Sequence, residues 1–285
     1  MKKELLFLLL VLCLLPQQTA AKKIFAAEEH ITAPKNIIAR WQSAPNNRYA
    51  GTAEGLYRYN GKTWSHISLP APIPVIFSLW GSSPKNIYAV GLGGRFHFNG
   101  RKWKRLSSRV GTGVWGTSRS NIFIVNRGIM HFNGTTWQPM LVPNTAGQLK
   151  GIWGLSRKDV YAVGADSTVL HYNGNRAMRW EPLTEGLAEA HHELYAIWGT
   201  APDHLIAVGF NTVLQYNGRR WSSVGSGLPY QDWFHAVWGH SSSSFYARTF
   251  EHGETLFFRN NSPQKGPAGI ILAEHPFAKE DITHN

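Results

Sequence analysis

The chain is poor in cysteine and in acidic residues, and after its N-terminal part no segment repeats apolar residues at a helical interval. Its single cysteine, Cys13, lies in an apolar N-terminal run, so disulfide bonds do not hold the rest of the chain together. The missing helical periodicity excludes helical bundles and sheets whose strands are joined by helices. No nucleophile motif, glycine-rich phosphate loop or strong metal-ligand spacing occurs either, so no catalytic residue, cofactor or metal ion is predicted.

Acidic residues are outnumbered by basic ones. Against 17 aspartates and glutamates stand 29 lysines and arginines, which give a formal net charge of +12 at pH 7. A protein with this excess is attracted to anionic surfaces such as phospholipid headgroups, lipopolysaccharide or cell-wall polymers. The position of the charge in the fold therefore bears on function.

What the chain has in abundance is a repeated unit built around tryptophan. Eleven of its 12 tryptophans fall at two positions of this unit, and only Trp233 lies outside the pattern. The intervals between copies run from 35 to 45 residues, which is typical of propeller blades. Five copies begin with Trp-Gly, whereas the first reads Trp41-Gln42. The copies begin at Trp41, Trp80, Trp115, Trp153, Trp198 and Trp238.

Each copy also contains a hairpin signal. In five copies an aromatic residue precedes Asn-Gly, as in Tyr216-Asn217-Gly218. This dipeptide between strand-like runs predicts a two-residue type I′ turn, because both residues accept the positive φ that the turn requires. The strand after the turn begins at the second tryptophan, which we expect to pack one blade against the next. The second tryptophans are Trp64, Trp103, Trp137, Trp180 and Trp221.

The repeats predict an all-β chain with a single six-bladed β-propeller of four-stranded blades. Residues 37–272 form the propeller in this interpretation, preceded by an N-terminal segment at 22–36 and followed by a tail at 273–285. The strand that completes the last blade is left open by the sequence. Either Ala268–Leu272 or Ile24–Ile31 can supply it.

The N-terminal part predicts export. Residues 1–21 combine two lysines, an apolar run and small residues, as a secretory signal peptide does, and the run is too short to span a bilayer. A periplasmic or extracellular location is expected. Lipid attachment at Cys13 is the less favoured alternative, because the bulky Leu12 precedes it where such processing normally requires a small residue.

The propeller topology separates the charges. The turns between first and second strands and between third and fourth strands emerge together, and they carry most of the basic residues. We therefore expect a basic face that contacts an anionic envelope surface, unless these residues only keep the hairpins solvated and protect sheet edges. The residues proposed for this contact are Arg101, Lys102, Arg157, Lys158, Arg219 and Arg220.

The opposite face carries the longest loops. The blade-to-blade connections at 183–194 and 225–235 exceed the usual loop length and contain aromatic residues and histidines. Long loops on a rigid ring are common places for recognition, so they are the predicted binding site for a ligand or partner, unless Tyr230 and Trp233 only plug the mouth of the central channel. No metal site is expected, because the two adjacent histidines lack a zinc-site spacing. The candidate residues are Tyr230, Trp233, His235, His191, His192 and His252.

The repeat resembles a class of bacterial exported β-propellers. Their blades combine Trp-Gly-x-Ser-x-x-Asp-Val-Tyr-Ala-Val-Gly with His-Tyr-Asn/Asp-Gly-x-x-Trp, and the copy from Trp153 to Gly174 fits best. More distantly, Gly61-Lys62-Thr63-Trp64 resembles the end of an Asp-box, a motif of propellers that include sialidases and photosystem II stability/assembly factors. Tyr59 stands where the aspartate of that motif belongs. The resemblance implies the propeller fold.

Taken together, these features predict a non-enzymatic, exported binding or assembly scaffold. It would recognise a protein or glycan partner through its long blade-to-blade loops, act as a monomer and bind no specific nucleic acid. The alternative is a carbohydrate-active enzyme or lectin of the cell envelope that works at the same loops, because propellers host both kinds of function.

Overall fold

A computed structural model describes residues 33–71, 75–144, 146–175, 177–187, 191–224, 228, 232–241, 243–250, 253–260 and 262–265. Within these ranges the regular structure consists of strands alone, arranged as six four-stranded antiparallel sheets. None of these residues belongs to a helix able to cross a membrane. The predicted six-bladed β-propeller is confirmed.

Each sheet is one blade, and its strands follow in chain order from the first, innermost strand to the outermost. Blade 1 contains β1 (Ala39–Ala44), β2 (Asn47–Gly51), β3 (Leu56–Tyr59) and β4 (Trp64–Ile67), and blade 2 contains β5 (Ile76–Ser83), β6 (Asn86–Gly91), β7 (Gly94–Phe98) and β8 (Trp103–Ser107). Blade 3 contains β9 (Gly113–Ser118), β10 (Asn121–Val125), β11 (Ile129–Phe132) and β12 (Trp137–Pro139), and blade 4 contains β13 (Leu149–Ser156), β14 (Asp159–Gly164), β15 (Val169–Tyr172) and β16 (Glu181–Pro182). Blade 5 contains β17 (Leu194–Ala201), β18 (His204–Gly209), β19 (Thr212–Tyr216) and β20 (Trp221–Ser223), and blade 6 contains β21 (Phe234–Ser241), β22 (Ser244–Thr249), β23 (Thr255–Arg259) and β24 (Ser262–Lys265).

The strand that completes blade 6 differs from both candidates. β24 pairs directly with β23 through Arg259↔Ser262, so the outer strand follows the third after a tight turn. Asn260 adopts a φ of 50° in this turn, a conformation that asparagine tolerates better than most residues. Blade 6 is therefore completed by its own hairpin. Ala268–Leu272 and Ile24–Ile31 lie outside the described residues.

The hairpin tips confirm the predicted positions but not the predicted turn type. In the tip between β3 and β4, only Gly61 has a positive φ, at 99°. Asn60 instead accepts hydrogen bonds at its side-chain oxygen from the backbone N–H groups of Lys62 and Thr63, each at 2.9 Å. The type I′ prediction is wrong because the asparagine side chain stabilises a four-residue loop, an interaction that the dipeptide pattern alone does not reveal.

The Trp-Gly pair has a packing role between blades. Trp41 donates its indole N–H to the carbonyl of Gly81 in the next blade at 3.0 Å, and a Cβ added at Gly81 would lie 2.7 Å from that indole. A Cβ at Gly116 would lie 3.0 Å from the Trp80 indole, and one at Gly154 would lie 2.7 Å from the Trp115 indole. In these three blades the glycine leaves room for the indole of the preceding blade.

Five buried apolar clusters complete this packing. They join blades 1 and 2, 2 and 3, 3 and 4, 4 and 5, and 5 and 6. Trp180 and Trp221, both second tryptophans, are 1% and 0% exposed and lie in the clusters of blades 3–4 and 4–5. Burial of such large rings is worth several kcal/mol, about 3–5 kcal/mol on truncation to alanine.

In three of the blades, a histidine of the third strand contacts the second strand of the same blade. His171 Nε2 lies 2.7 Å from Asp159 Oδ1, and its ring stacks on Tyr161 with centroids 4.5 Å apart. The same arrangement joins His97 to Asn86 and His131 to Asn121. These histidines are part of the scaffold, which explains the His-Tyr element of the repeat.

Candidate binding site

Two faces follow from the strand order. The long-loop face contains the connections between blades and the turns between second and third strands, and the hairpin-tip face contains the other two turns of each blade. Of the six residues predicted for the binding site, the structure describes Trp233, His235, His191 and His192, all on the long-loop face. Tyr230 and His252 lie outside the described residues.

Trp233 is held by contacts to blades 5 and 6. It forms an isolated bridge with Phe210, and the two rings lie 5.1 Å apart. Its backbone carbonyl accepts a hydrogen bond from the N–H of Phe250 at 2.9 Å. The side chain is half-buried, so the loop holds an indole in place while part of its surface remains accessible.

Asp232 provides the support for this loop. It is 0% exposed, and its carboxylate accepts the Trp233 N–H at 2.6 Å. Its backbone carbonyl accepts the N–H of Asn211, from the turn between β18 and β19, at 2.9 Å. These two hydrogen bonds fix the backbone at Asp232 and Trp233, where the chain enters blade 6.

The two adjacent histidines have different environments. His192 contacts two blades. Its Nδ1 lies 3.0 Å from Thr212 Oγ1 in blade 5, and its backbone N–H donates to Ser167 Oγ of blade 4 at 2.9 Å. Burial lowers its pKa below the ordinary value of 6.5. His191 is exposed over 89% of its side chain, with Nδ1 3.9 Å from Asp166. The pair therefore offers one accessible imidazole.

His235 lies at the beginning of the innermost strand of blade 6. The ladder between β21 and β22 skips it, so it forms a bulge between Phe234 and Ala236. Burial, together with the positive charges of Arg248 and Arg40, lowers the pKa of His235 to about 3, although Asp232 acts in the opposite direction. The imidazole is therefore neutral at physiological pH, and its buried Nδ1 has no hydrogen-bond partner in the structure.

Bulges at the same position of other innermost strands bring further polar groups together near the propeller axis. Lys150 and Tyr195 bulge from the innermost strands of blades 4 and 5. Lys150 Nζ lies 2.5 Å from Glu193 Oε2 and 4.4 Å from the centre of the Tyr195 ring. The side chains of Lys150 and Glu193 are only 12% and 27% exposed, so this ion pair is poorly screened by solvent. Sequence reasoning missed this cluster, because its register depends on bulges.

The hairpin-tip face carries the basic residues where they were predicted. All six proposed contact residues are exposed: Arg101, Lys102, Arg157, Lys158, Arg219 and Arg220. Asparagine side chains stabilise the tips, as when Asn217 accepts hydrogen bonds from the N–H groups of Arg219 and Arg220 at 3.0 Å.

A cleft of about 380 Å³ lies between blades 1 and 2 at the hairpin-tip end. Arg58 and Arg101 line it together with the rings of Tyr49, Phe98 and Trp103. Arg58 also stands 5.8 Å from the centre of the Tyr49 ring. This cleft was not predictable from the repeat, because its walls come from different copies of it.

Acidic and metal-binding side chains are dispersed. Within the ranges that the structure describes, no three histidine, cysteine, aspartate or glutamate residues lie close enough to hold a metal ion. Asp232 and Glu193, two of the carboxylates at the candidate loops, each have a structural partner.

Comparison with known proteins bears on the fold. No family model and no curated protein matches the chain. A structure of YCF48 bound to a D1 peptide has a TM-score of 0.59, with 15% identity over 81% of this chain and 81% of that chain. Streptogramin B lyase gives a TM-score of 0.66 with 13% identity, covering 84% and 85% of the two chains. A chain of the mitotic checkpoint complex gives 0.62 with 12% identity, covering 87% and 88%. At these identities the similarity shows the β-propeller fold and nothing finer.

Proposed function

We propose that this protein is a non-enzymatic, exported binding or assembly scaffold that recognises a partner protein through its long-loop face. The observation that carries the proposal is Trp233, an indole held against Phe210 yet still partly exposed at the rim of blades 5 and 6. It is the only tryptophan outside the repeat, so it has no counterpart in the packing between blades.

A side chain that is held in place before binding loses little entropy when a partner binds. Tryptophan supplies a large contact area at a small cost in side-chain entropy, and tryptophans dominate binding energy at many protein interfaces. The carboxylate of Asp232 and the bridge to Phe210 hold Trp233 in place in the free protein. Binding would therefore cost little further entropy at this indole.

Two similar structures support a binding role. YCF48 is bound to a D1 peptide, and another propeller is part of the mitotic checkpoint complex. Streptogramin B lyase carries the same fold in an enzyme, so the proposal depends on the loops of this chain and not on the fold. A glycan partner is the finer alternative, because an exposed indole also stacks on sugar rings.

Affinity capture from envelope extract at several salt concentrations tests the proposal. The mature protein should retain one partner, and Trp233→Ala should weaken its capture at least tenfold. Trp64→Ala is the matched control, because that indole is also half-buried beside one ring, Tyr59, but lies on an outer strand. Equal loss with both variants, or with neither, would contradict the proposal, and turnover of a captured sugar would favour the enzyme alternative.

The basic hairpin-tip face supports a second function, adhesion to an anionic surface. Its six exposed cations occupy tips that the repeat would build equally well with neutral residues, as Thr135 and Thr136 do in blade 3. Binding of this kind weakens steeply with salt. Capture that depends on this face alone, and disappears at high salt, would replace the long-loop proposal with this one.

A further inference from the structure

The junction between blade 6 and blade 1 departs from the pattern of the other five. Among the described residues no buried apolar cluster joins these two blades, although one joins every other consecutive pair. Gln42 also stands in blade 1 where five copies have the glycine that follows tryptophan. We call this junction the closing seam.

Arg40 occupies an apolar position of the repeat. It immediately precedes Trp41 on β1, where its pairing partner is Ala50. In the other five blades the residue before the first tryptophan is aliphatic: Leu79, Val114, Ile152, Ile197 and Val237. These side chains are buried or half-buried near the propeller axis, so Arg40 places a cation where the other blades place a hydrocarbon.

Arg248 does the same on the other side of the closing seam. Arg248 lies on the second strand of blade 6, where it pairs with Ala236, the residue after the bulged His235. At the equivalent register, blades 2 to 5 have valines that are 0% exposed: Val90, Val125, Val163 and Val208. The two departures from the repeat thus fall at the one junction without an apolar cluster.

The two cations lie close enough to repel each other. Burial, reinforced by the charge of Arg248, lowers the pKa of Arg40 to about 9. Arg248 donates to Thr255 Oγ1 at 3.3 Å, a neutral acceptor, and no described carboxylate forms an ion pair with either guanidinium. Asp232 is a neighbour of His235, but its carboxylate accepts the Trp233 N–H.

A third polar group belongs to the same region. Among the described residues the buried Nδ1 of His235 has no hydrogen-bond partner, and both arginines act electrostatically on this imidazole. Partly buried cations without a partner are costly, as is a buried nitrogen without a hydrogen bond. A single bound anion would satisfy all three groups.

We infer that the closing seam binds one anionic group, a carboxylate or a phosphate, between Arg40, Arg248 and His235. Guanidinium groups form short, charge-assisted hydrogen bonds with both kinds of anion, and their planar geometry suits two parallel bonds. The inference does not rest on the proposed scaffold function, since it concerns a small ligand and other residues.

Calorimetric titration tests the site with sodium acetate and inorganic phosphate in separate arms, in a buffer low in chloride. One arm should show a single site at millimolar or lower concentration. Arg40→Leu and Arg248→Val install the residues of the other blades and should weaken binding at least tenfold each. Arg127→Leu, an exposed arginine of blade 3 on the same face, should leave binding unchanged.

Two further measurements separate a binding site from a structural role. Without added anion, Arg40→Leu and Arg248→Val should unfold at the same temperature as the parent or higher, because they remove buried cations. If either variant fails to fold, the ring resonances of His235 in the parent protein take its place, and they should shift with the same saturation curve. Absence of binding in both arms, unchanged binding in the two variants, or a lowered unfolding temperature in both would overturn the inference.

Discussion

The two faces of this propeller are built from the same repeats but differ in how closely they keep to them. Hairpin tips repeat one solution, in which an asparagine oxygen accepts two backbone N–H groups, as Asn60 and Asn217 show. The long-loop face has contacts that are not repeated from blade to blade, such as Trp233 on Phe210 and Lys150 beside Tyr195. Repetition maintains the scaffold, and departures from it mark where a partner can be distinguished.

The closing seam sharpens this contrast. Apolar side chains stabilise the junctions between blades. Among the described residues, five of the six junctions contain a buried apolar cluster. Arg40 and Arg248 are costly to bury, and no described carboxylate forms an ion pair with either guanidinium. Features that lower stability without a compensating contact are typical of binding sites.

The largest expected difference between the faces is in stability. Asp232→Ala removes a fully buried carboxylate that orders the long-loop face, and it should lower the free energy of unfolding by about 2–3 kcal/mol. Asp203→Ala, at an exposed hairpin tip, should change it by less than about 0.5 kcal/mol. Urea denaturation measures both. Similar costs for the two variants would mean that the faces do not differ in how they are stabilised.

The pH dependence of stability gives the next effect. The folded pKa of His235, about 3, lies below its ordinary value of 6.5, so between these values the unfolded chain binds a proton that the folded protein refuses. Its contribution to stability is present above pH 6.5 and is lost as pH falls towards 3. His235→Phe should therefore lessen the loss of stability between pH 7 and pH 5 by about 1–2 kcal/mol.

The exposed His191 provides the control for that experiment. His191→Phe makes the same substitution at an imidazole on the same face that is 89% exposed, so it shows what replacing histidine by phenylalanine does where no buried group is removed. The free energy of unfolding at a series of pH values supplies the measurement. An unchanged slope in His235→Phe would show that this imidazole is not buried as described.

The smallest effect on stability belongs to the hairpin tips. Reversing Arg101, Lys102, Arg219 and Arg220 to glutamate should change the free energy of unfolding by less than about 0.5 kcal/mol per site, because all four are exposed. Sedimentation with anionic vesicles at low and high salt then tests the second proposed function. If the variant still sediments with the vesicles, the basic face does not mediate the adhesion.

The fold was predictable because its signals are local and repeated. The spacing from Trp153 to Trp198 reflects one blade, and the second tryptophans begin four of the outer strands as expected. The turn type and the last strand were not predictable in the same way. Asparagine capping in the tips and the pairing of Ser262 with Arg259 depend on geometry that a dipeptide or a run of apolar residues does not specify.

The candidate site was predictable only in part. Loop length and composition pointed to Trp233 and His235, and both lie on the long-loop face. Arg40 and Arg248 are 208 positions apart in the sequence and meet only because the ring closes. The sequence shows only that each arginine replaces an aliphatic residue of the repeat. The strand register then shows that both replacements lie at the same junction.

Hydrogen exchange of the captured complex tests most directly whether a partner occupies the long-loop face. Amides of the connections at 183–193 and 224–233 should exchange more slowly when the partner is bound, while those of the tips at 99–102 and 217–220 should not change. Protection confined to the tips, with the long loops exchanging as in the free protein, would contradict the account.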